Sequence, residues 1–306
     1  MGPGVDGVRD CAFDRGGKIV AMENEIKDFW QTHPCGADLV GDLTEESREE
    51  YREFFERYDD FRYRKEPHIL KNLDRIDFVG KKVLEIGLGQ GADAEQIELR
   101  GAMYSGVDLT EESVKRVKMR FSLLGRKGFE RIEQASALDL PFADDSFDIV
   151  FSHGVLHHIP EIEKAQAEIA RVLKRDGRLV VMLYAKWSLN YLLAISVVRR
   201  LGLFTLFALG AKPGGIYDSH IANAKKAGLL KYLKMENFVH VSTDGPLNPY
   251  SKVYGMNEVR EDFPDFEIVS ADKHFMHAPP LKVKWLPLAR QLGWHLWVTM
   301  KPREKK

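Results

Sequence analysis

Cysteine is nearly missing from this chain. Cys11 and Cys35 are the only two in 306 residues. They cannot build a disulfide framework, they lack the spacing of a zinc site, and they fit a reducing compartment. Excess charge of one sign is missing as well. The 45 Lys and Arg face 46 Asp and Glu, for a net charge of −1, so nothing general draws the chain to nucleic acid. No stretch supplies the roughly 20 uninterrupted apolar residues of a bilayer crossing. The longest candidate, residues 187–209, carries Arg199 and Arg200 at its middle. Residues 1–20 hold glycine and charge without the apolar run of a signal peptide. They are read as a loose leader, and the expected location is cytoplasmic. No metal is expected either.

The chain does contain a pronounced glycine turn, Val83-Leu-Glu85-Ile-Gly87-Leu-Gly89-Gln-Gly91. A buried strand runs into the turn, and a helix opens at about Ala92. Glycine takes positive φ without steric cost and lets a ligand approach the backbone. The N-terminus of the following helix offers unpaired N–H groups and the positive end of its dipole, which suits an anion or a ribose. Gly87-x-Gly89-x-x-Ala92 on its own also satisfies the dinucleotide-binding pattern.

Three further features separate the readings. Glu85 precedes the first glycine by two residues. Asp108 ends the next strand 21 residues past Gly87, where a carboxylate can accept both ribose hydroxyls. Asp139-Leu-Pro141-Phe142 is followed by Ser146-Phe147-Asp148-Ile149-Val150. As a series, these motifs resemble those of class I S-adenosylmethionine (SAM) dependent methyltransferases, specifically the ubiquinone/menaquinone-methyltransferase-like (methyltransferase type 11) group, across residues 65–185.

Periodicity predicts a short helix over Met22–Gln31 and a second helix capped by Thr44. Tyr51, Phe54, Phe55, Tyr58 and Phe61 of the second helix form an aromatic packing face. A βαβ rhythm then runs from Val83 to Tyr184. Strands are expected at Val83–Ile86, Met103–Val107, Phe129–Gln134, Phe147–Ser152 and Arg178–Tyr184, the last an almost unbroken apolar run suited to an inner strand. Phe266–Ser270 and His295–Met300 would complete the sheet. Trp285, Trp294 and Trp297 are read as core.

The resemblance implies an α/β fold: a Rossmann-like seven-stranded sheet with an N-terminal helical lid and a helical insertion after the fifth strand. The division is 1–64 for leader and lid, 65–185 for the SAM-binding core, 186–250 for a cap on the substrate side and 251–306 for completion of the sheet. SAM is the implied cofactor. Gly87, Gly89 and Gly91 would pass under its methionine and ribose portions, and Glu85 would orient the methionine end, its alternative being to satisfy the turn's own amides. Asp108 would bind the ribose hydroxyls, with helix capping as the alternative. Leu109 would pack on adenine, and Ser136, Ala137 and Leu138 would cover its edge. Many relatives carry an acid where Ser136 stands. His153 would pass the methionine end, and aromatic lid residues near Tyr63 would touch the cofactor.

Methyl transfer needs an acceptor lone pair in line behind the methyl, so much of the catalysis is positioning. A base needs reach as well as pKa. His157, His220 and His240 are the candidates, with His158, Tyr217, Asp218 and Asp244 behind them. The apolar stretches in 187–209 must be covered by something. A packed cap or homodimer contact, the wall of an acceptor pocket, and peripheral membrane contact all remain open. The expected partner is a small, apolar acceptor such as a quinone, phenol, polyketide-like or lipid-derived molecule, methylated on O, N or C. The rivals are an RNA or protein methyltransferase, an NAD-linked oxidoreductase, and a SAM-binding protein without transferase activity. Neutral charge and the lack of an Asn/Asp-Pro-Pro-Tyr/Phe signature weigh against the first, and Glu85 with the downstream series against the second.

Overall fold

The computed structural model describes residues 15–33, 48–126 and 129–304. Cys11, Cys35, the Thr44 cap and residues 1–14 of the leader lie outside these. Helices α1 (Arg15–Thr32) and α2 (Arg48–Lys65) precede a short α3 (His68–Leu73) that starts after Pro67. The alternating core follows as β1 (Lys82–Ile86), α4 (Ala92–Leu99), β2 (Met103–Asp108), α5 (Glu111–Leu123), β3 (Phe129–Gln134), β4 (Phe147–His153), α6 (Ile162–Val172) and β5 (Leu173–Tyr184). A π-helical stretch, Asn190–Arg199, continues directly into α7 (Arg200–Ala208). Then come α8 (Ile216–Ala227), α9 (Leu229–Tyr232), α10 (Met235–Thr243), α11 (Met256–Asp262), β6 (Phe266–His274), α12 (Ala289–Leu292) and β7 (His295–Pro302).

The strands form one seven-stranded sheet in the order β3-β2-β1-β4-β5-β7-β6. All neighbours are parallel except β7, which runs antiparallel to both β5 and β6. Chain order reverses between β1 and β4, and in open α/β sheets the ligand crevice lies outside the strand ends at such a switch point.

Strand alternation divides the core into two layers. Leu84, Ile86, Val150, Leu179 and Val181 fill one face of the sheet. Val83, Ile149, Phe151, Val180 and Met182 fill the other. Glu85 shares the Val83 face, which places a carboxylate in an apolar layer. Its burial matters for the site.

The predicted aromatic face of α2 packs as expected: Phe54, Phe55 and Tyr58 are buried with Ala92 and Leu123. A buried arginine, Arg120 on α5, fastens this helix by pairing with Asp59 of α2 and, at 2.5 Å, with Glu95 of α4. The insertion carries its own apolar cluster, in which Ile195, Leu203, Ile221 and Phe238 surround Trp294. Trp297 joins the sheet core. Trp285 does not: it is 77% exposed, and its indole N–H donates to the Lys282 carbonyl. The β6–β7 connection carries it along the surface.

Candidate functional site

A cleft of about 570 Å³ opens at the C-terminal ends of β1, β2, β4 and β5. Its volume is in the range of small-molecule sites, about 300–1,000 Å³. Gly87 and Gly89, at φ of +84° and +51°, form the floor, whereas Gly91, at +76°, does not line the cleft and lies against Val117 and Arg120 of α5. The three glycines serve different needs. A Cβ on Gly87 would stand 2.1 Å from Val155 Cγ2, whereas one on Gly89 would meet nothing within 4 Å. Gly89 therefore leaves its space to the cleft.

Asp108 lines the cleft at the end of β2 and braces the turn from below. Its Oδ2 accepts the Leu88 N–H at 2.7 Å, and its Oδ1 accepts the Thr110 N–H at 2.8 Å and hydroxyl at 2.7 Å. Burial pushes its carboxyl up against the pull of these bonds. Capping of α5 falls to Thr110, whose side chain accepts from the Ser113 N–H. Glu85 lines the cleft too, but it does not satisfy the turn's amides. The Tyr104 hydroxyl donates to its Oε2 at 2.5 Å, and burial pushes the carboxyl well above its usual range.

Leu109, Ser136, Ala137 and Leu138 line the adjoining end. The Ser136 hydroxyl donates to Glu23 Oε1 on α1. An acid thus stands beside position 136, supplied by a different element.

His153 faces the cleft beneath α2. Arg62 reaches down from that helix to Asp93 Oδ2 at 2.5 Å and to His153 Nδ1 at 2.8 Å. Burial holds the imidazole at a pKa of about 3, so it is neutral, and its Nε2 is buried without a partner. Burial alone would raise the Asp93 carboxyl; the charge and hydrogen bond of Arg62, with a hydrogen bond from Tyr63, hold it below the ordinary value. Tyr63, expected at the cofactor, instead points its hydroxyl at Asp93 Oδ1, 3.3 Å away. Tyr58 and Arg62 of α2, and Glu66 just past its end, line the cleft. The aromatic stripe drew attention from Arg62, and Asp93 reads in sequence as an ordinary first-turn acid.

The far end of the cleft is more apolar, with Met22, Ile26 and Trp30 of α1 opposite Met182 and Tyr184 of β5. None of His157, His220 and His240 lines the cleft. His157 is fully buried against Tyr184, ring centroids 3.8 Å apart, and both its nitrogens lack partners. His220 Nδ1 lies 2.8 Å from the Tyr232 hydroxyl within the insertion. His240 Nδ1 lies 3.0 Å from the Ser251 N–H and 2.8 Å from its carbonyl.

Of the histidines weighed as bases, His158 does line the cleft, together with Asp244. His158 Nδ1 lies 2.7 Å from the Tyr250 carbonyl, which can only accept, so this nitrogen carries the proton. Nε2 is the ring's other nitrogen. It is buried without a partner, 3.6 Å from Asp244 Oδ2, which also lacks one. Asp244 is held by the Tyr184 hydroxyl at 2.8 Å. Sequence read Asp244-Gly-Pro first as a turn, and only the fold brings it to His158.

A family model described as "Methyltransferase domain" matches residues 84–181. An uncharacterized methyltransferase of Bacillus subtilis is 41% identical over 103 residues, 33% of this chain and 40% of the relative. The phthiotriol/phenolphthiotriol dimycocerosates methyltransferase of Mycobacterium tuberculosis is 35% identical over 34% of this chain and 37% of its own length. The fatty-acid O-methyltransferase of Mycolicibacterium smegmatis gives the same figures, 35%, 34% and 37%. These matches span about two fifths of the relatives' length. Among solved structures, a geranyl diphosphate C-methyltransferase of Streptomyces coelicolor aligns over 92% of this chain and 98% of its own, with a TM-score of 0.54 at 12% identity. A putative methyltransferase from a Haloferax volcanii complex aligns over 85% and 99%, with a TM-score of 0.51 at 17% identity. Residues 84–181 of this chain thus carry a methyltransferase domain, set in a seven-stranded sheet of the Rossmann-like class I methyltransferase order.

Proposed function

We propose that this chain binds SAM in the cleft and transfers its methyl group, by direct displacement, to a small and largely apolar acceptor. One observation carries the reading. A single cleft joins a nucleoside-shaped end (Asp108, Leu109, Ser136–Leu138) to an apolar end (Met22, Ile26, Trp30, Met182) past an open glycine floor. Asp108 suits the ribose hydroxyls, and Glu23 beside Ser136 suits the adenine amino group. Glu85, Arg62 and the unpartnered His153 Nε2 suit the ammonium and carboxylate of the methionine end. The cofactor supplies an electrophilic methyl on a sulfonium. The protein's part is to hold the acceptor in line and keep water away, since the positive charge disappears as the bond forms.

His158 and Asp244 suit removal of a proton from the acceptor. Nε2 offers a lone pair, and the Tyr250 carbonyl fixes the tautomer. By their names, the mycobacterial relatives act on phthiotriol or phenolphthiotriol dimycocerosates and on a fatty acid, which agrees with an apolar acceptor here. The exposed apolar face within 187–209 suits a bilayer from which such an acceptor would be drawn.

Calorimetric titration with SAM, S-adenosylhomocysteine and NAD tests the cofactor. Binding of the first two and not the third is expected. Asp108→Ala should weaken S-adenosylhomocysteine by about 1–3 kcal/mol through lost hydroxyl contacts. Unchanged affinity in that variant removes the ribose assignment.

A further inference from the structure

Beside the cleft, where α2 gives way to α3, the chain gathers more imidazole than the methyl-transfer reading uses. His68 Nε2 lies 3.0 Å from His295 Nδ1, and His295 Nδ1 lies 3.9 Å from Glu66 Oε2. The donor atoms of all three residues lie within 4.8 Å of one another. Ligands of a tetrahedral zinc at about 2.0 Å stand about 3.3 Å apart, inside this spread. Three places supply the set: the residue just past α2, the first residue of α3 and the first residue of β7.

The surroundings point the same way. Glu66 is largely buried, and its one ion-pair contact among the described residues is His295, beyond hydrogen-bond length. Arg62 acts on Glu66 through charge, against the stronger effect of burial, while its ion pair is with Asp93. A buried carboxylate is paired or coordinates a metal, because desolvating it alone is costly. His274 stacks on His68 with centroids 5.3 Å apart, and its Nε2 is buried without a partner. His153, whose Nε2 is likewise unpartnered, has its ring 5.9 Å from that of His295.

We propose that Glu66, His68 and His295 form a binding site for one divalent transition cation of the zinc class. Two imidazoles and one carboxylate leave a coordination position open, as in catalytic zinc sites. Glu66 and His295 both line the cleft, so that position faces it. The acceptor such a site would favour carries an oxygen that a Lewis acid can hold, such as a phenolate, enolate or carboxylate. Imidazole donors favour zinc over magnesium, which prefers an all-oxygen shell. The coordination claim stands whether or not the methyl-transfer reading holds.

The test is calorimetric titration of tag-free, chelator-treated protein with zinc chloride and, separately, magnesium chloride, with S-adenosylhomocysteine titrated in parallel. One equivalent of zinc should bind, and magnesium should bind far more weakly. His295→Ala and Glu66→Gln should each weaken zinc by more than the roughly 10–100-fold that removing an outer hydrogen-bond partner costs. A cooperative thermal unfolding transition like that of the unaltered, metal-free protein shows that a variant is folded. Cobalt(II) substitution should give a visible ligand-field spectrum that both variants lose. No saturable zinc binding by the unaltered protein, or zinc affinity and cobalt spectrum unchanged in both variants, overturns the site. Loss of S-adenosylhomocysteine binding in the unaltered protein would count only against the cofactor reading.

Discussion

Arg62 on α2 and Asp93 on α4 meet at 2.5 Å, with both side chains largely removed from solvent. This pair ties α2 to the helix that follows the glycine turn. Removing one partner of a buried pair leaves an uncompensated charge, a cost of about 3–5 kcal/mol. Arg62→Met should therefore lower unfolding free energy by that amount, and adding Asp93→Asn should recover part of it. The folded Asp93 carboxyl is held below its ordinary value. Its stabilisation is present at pH above about 3.9, the unperturbed value, and is lost as pH falls through the lower folded value. Urea unfolding at pH 7 and pH 3 checks both points. An Arg62→Met deficit that is as large at the lower pH would separate the destabilisation from the ion pair.

Glu85 carries the opposite shift. Burial raises its carboxyl well above the usual range, so the folded state holds its proton more tightly than the unfolded chain does. The stability this lends is complete below the unfolded value near about 4.3 and disappears as pH rises through the folded one. A cationic ligand end placed beside it would draw the proton off. SAM binding at a pH below the folded value should therefore release protons, seen as a dependence of calorimetric enthalpy on the buffer's ionisation enthalpy. Glu85→Gln should abolish that dependence. An equal dependence in the variant would mean that the proton comes from elsewhere.

Much of this was legible in residue order. The glycine turn, the acid at 108 and the strand rhythm depend on local spacing, and the sheet order follows from alternation with α-helical crossovers. Partners brought together by packing were not legible. Tyr104 meets Glu85 only because adjacent parallel strands place them on the same face. Glu23 reaches Ser136 across 113 positions, and Asp244 reaches His158 only after the insertion folds back. His157 was the more obvious candidate base beside His158. A single turn of 3-10 helix, Leu156–His158, buries one imidazole and leaves its neighbour at the cleft. Adjacent residues cannot be ranked for such a fate without the backbone.

The glycines of the turn allow a sharper separation of fold from ligand. At Gly87 an alanine would meet Val155 and also sit at positive φ. Overpacking of about 1–3 kcal/mol adds to a left-handed penalty of about 1–2 kcal/mol. At Gly89 only the second cost applies, and the new methyl enters open cleft. Gly87→Ala should lower the melting temperature markedly, and Val155→Ala should partly rescue it. Gly89→Ala should fold with a small stability loss and bind S-adenosylhomocysteine much more weakly. Thermal denaturation paired with titration distinguishes the two. Intact affinity in Gly89→Ala would place the ligand away from the turn.

The continuous helix Asn190–Ala208 is, by length and composition, able to cross a membrane, with mean hydropathy 1.6 over its most apolar window and 17% of that window buried. A crossing would nevertheless dismantle the insertion. Ile195 and Leu203 are packed in its core, and Arg199 donates to the carbonyls of Pro279 and Ser242. The opposite side of the helix is bare: Leu193, Val197, Leu201 and Phe204 are exposed at helical spacing, Leu201 by 62%. Residues 186–236 also hold eight of the chain's 45 Lys and Arg but only two of its 46 Asp and Glu. An apolar stripe within a basic neighbourhood suits a helix lying in the interface of an anionic bilayer. The protein should float with vesicles of phosphatidylcholine and phosphatidylserine, less with phosphatidylcholine alone, and less again at high salt. Replacing Leu193, Val197 and Leu201 by serine should abolish flotation and leave S-adenosylhomocysteine affinity unchanged. If the unaltered protein ignores both vesicles and sediments as a dimer that the triple variant splits, the bare face belongs to a second copy of the chain.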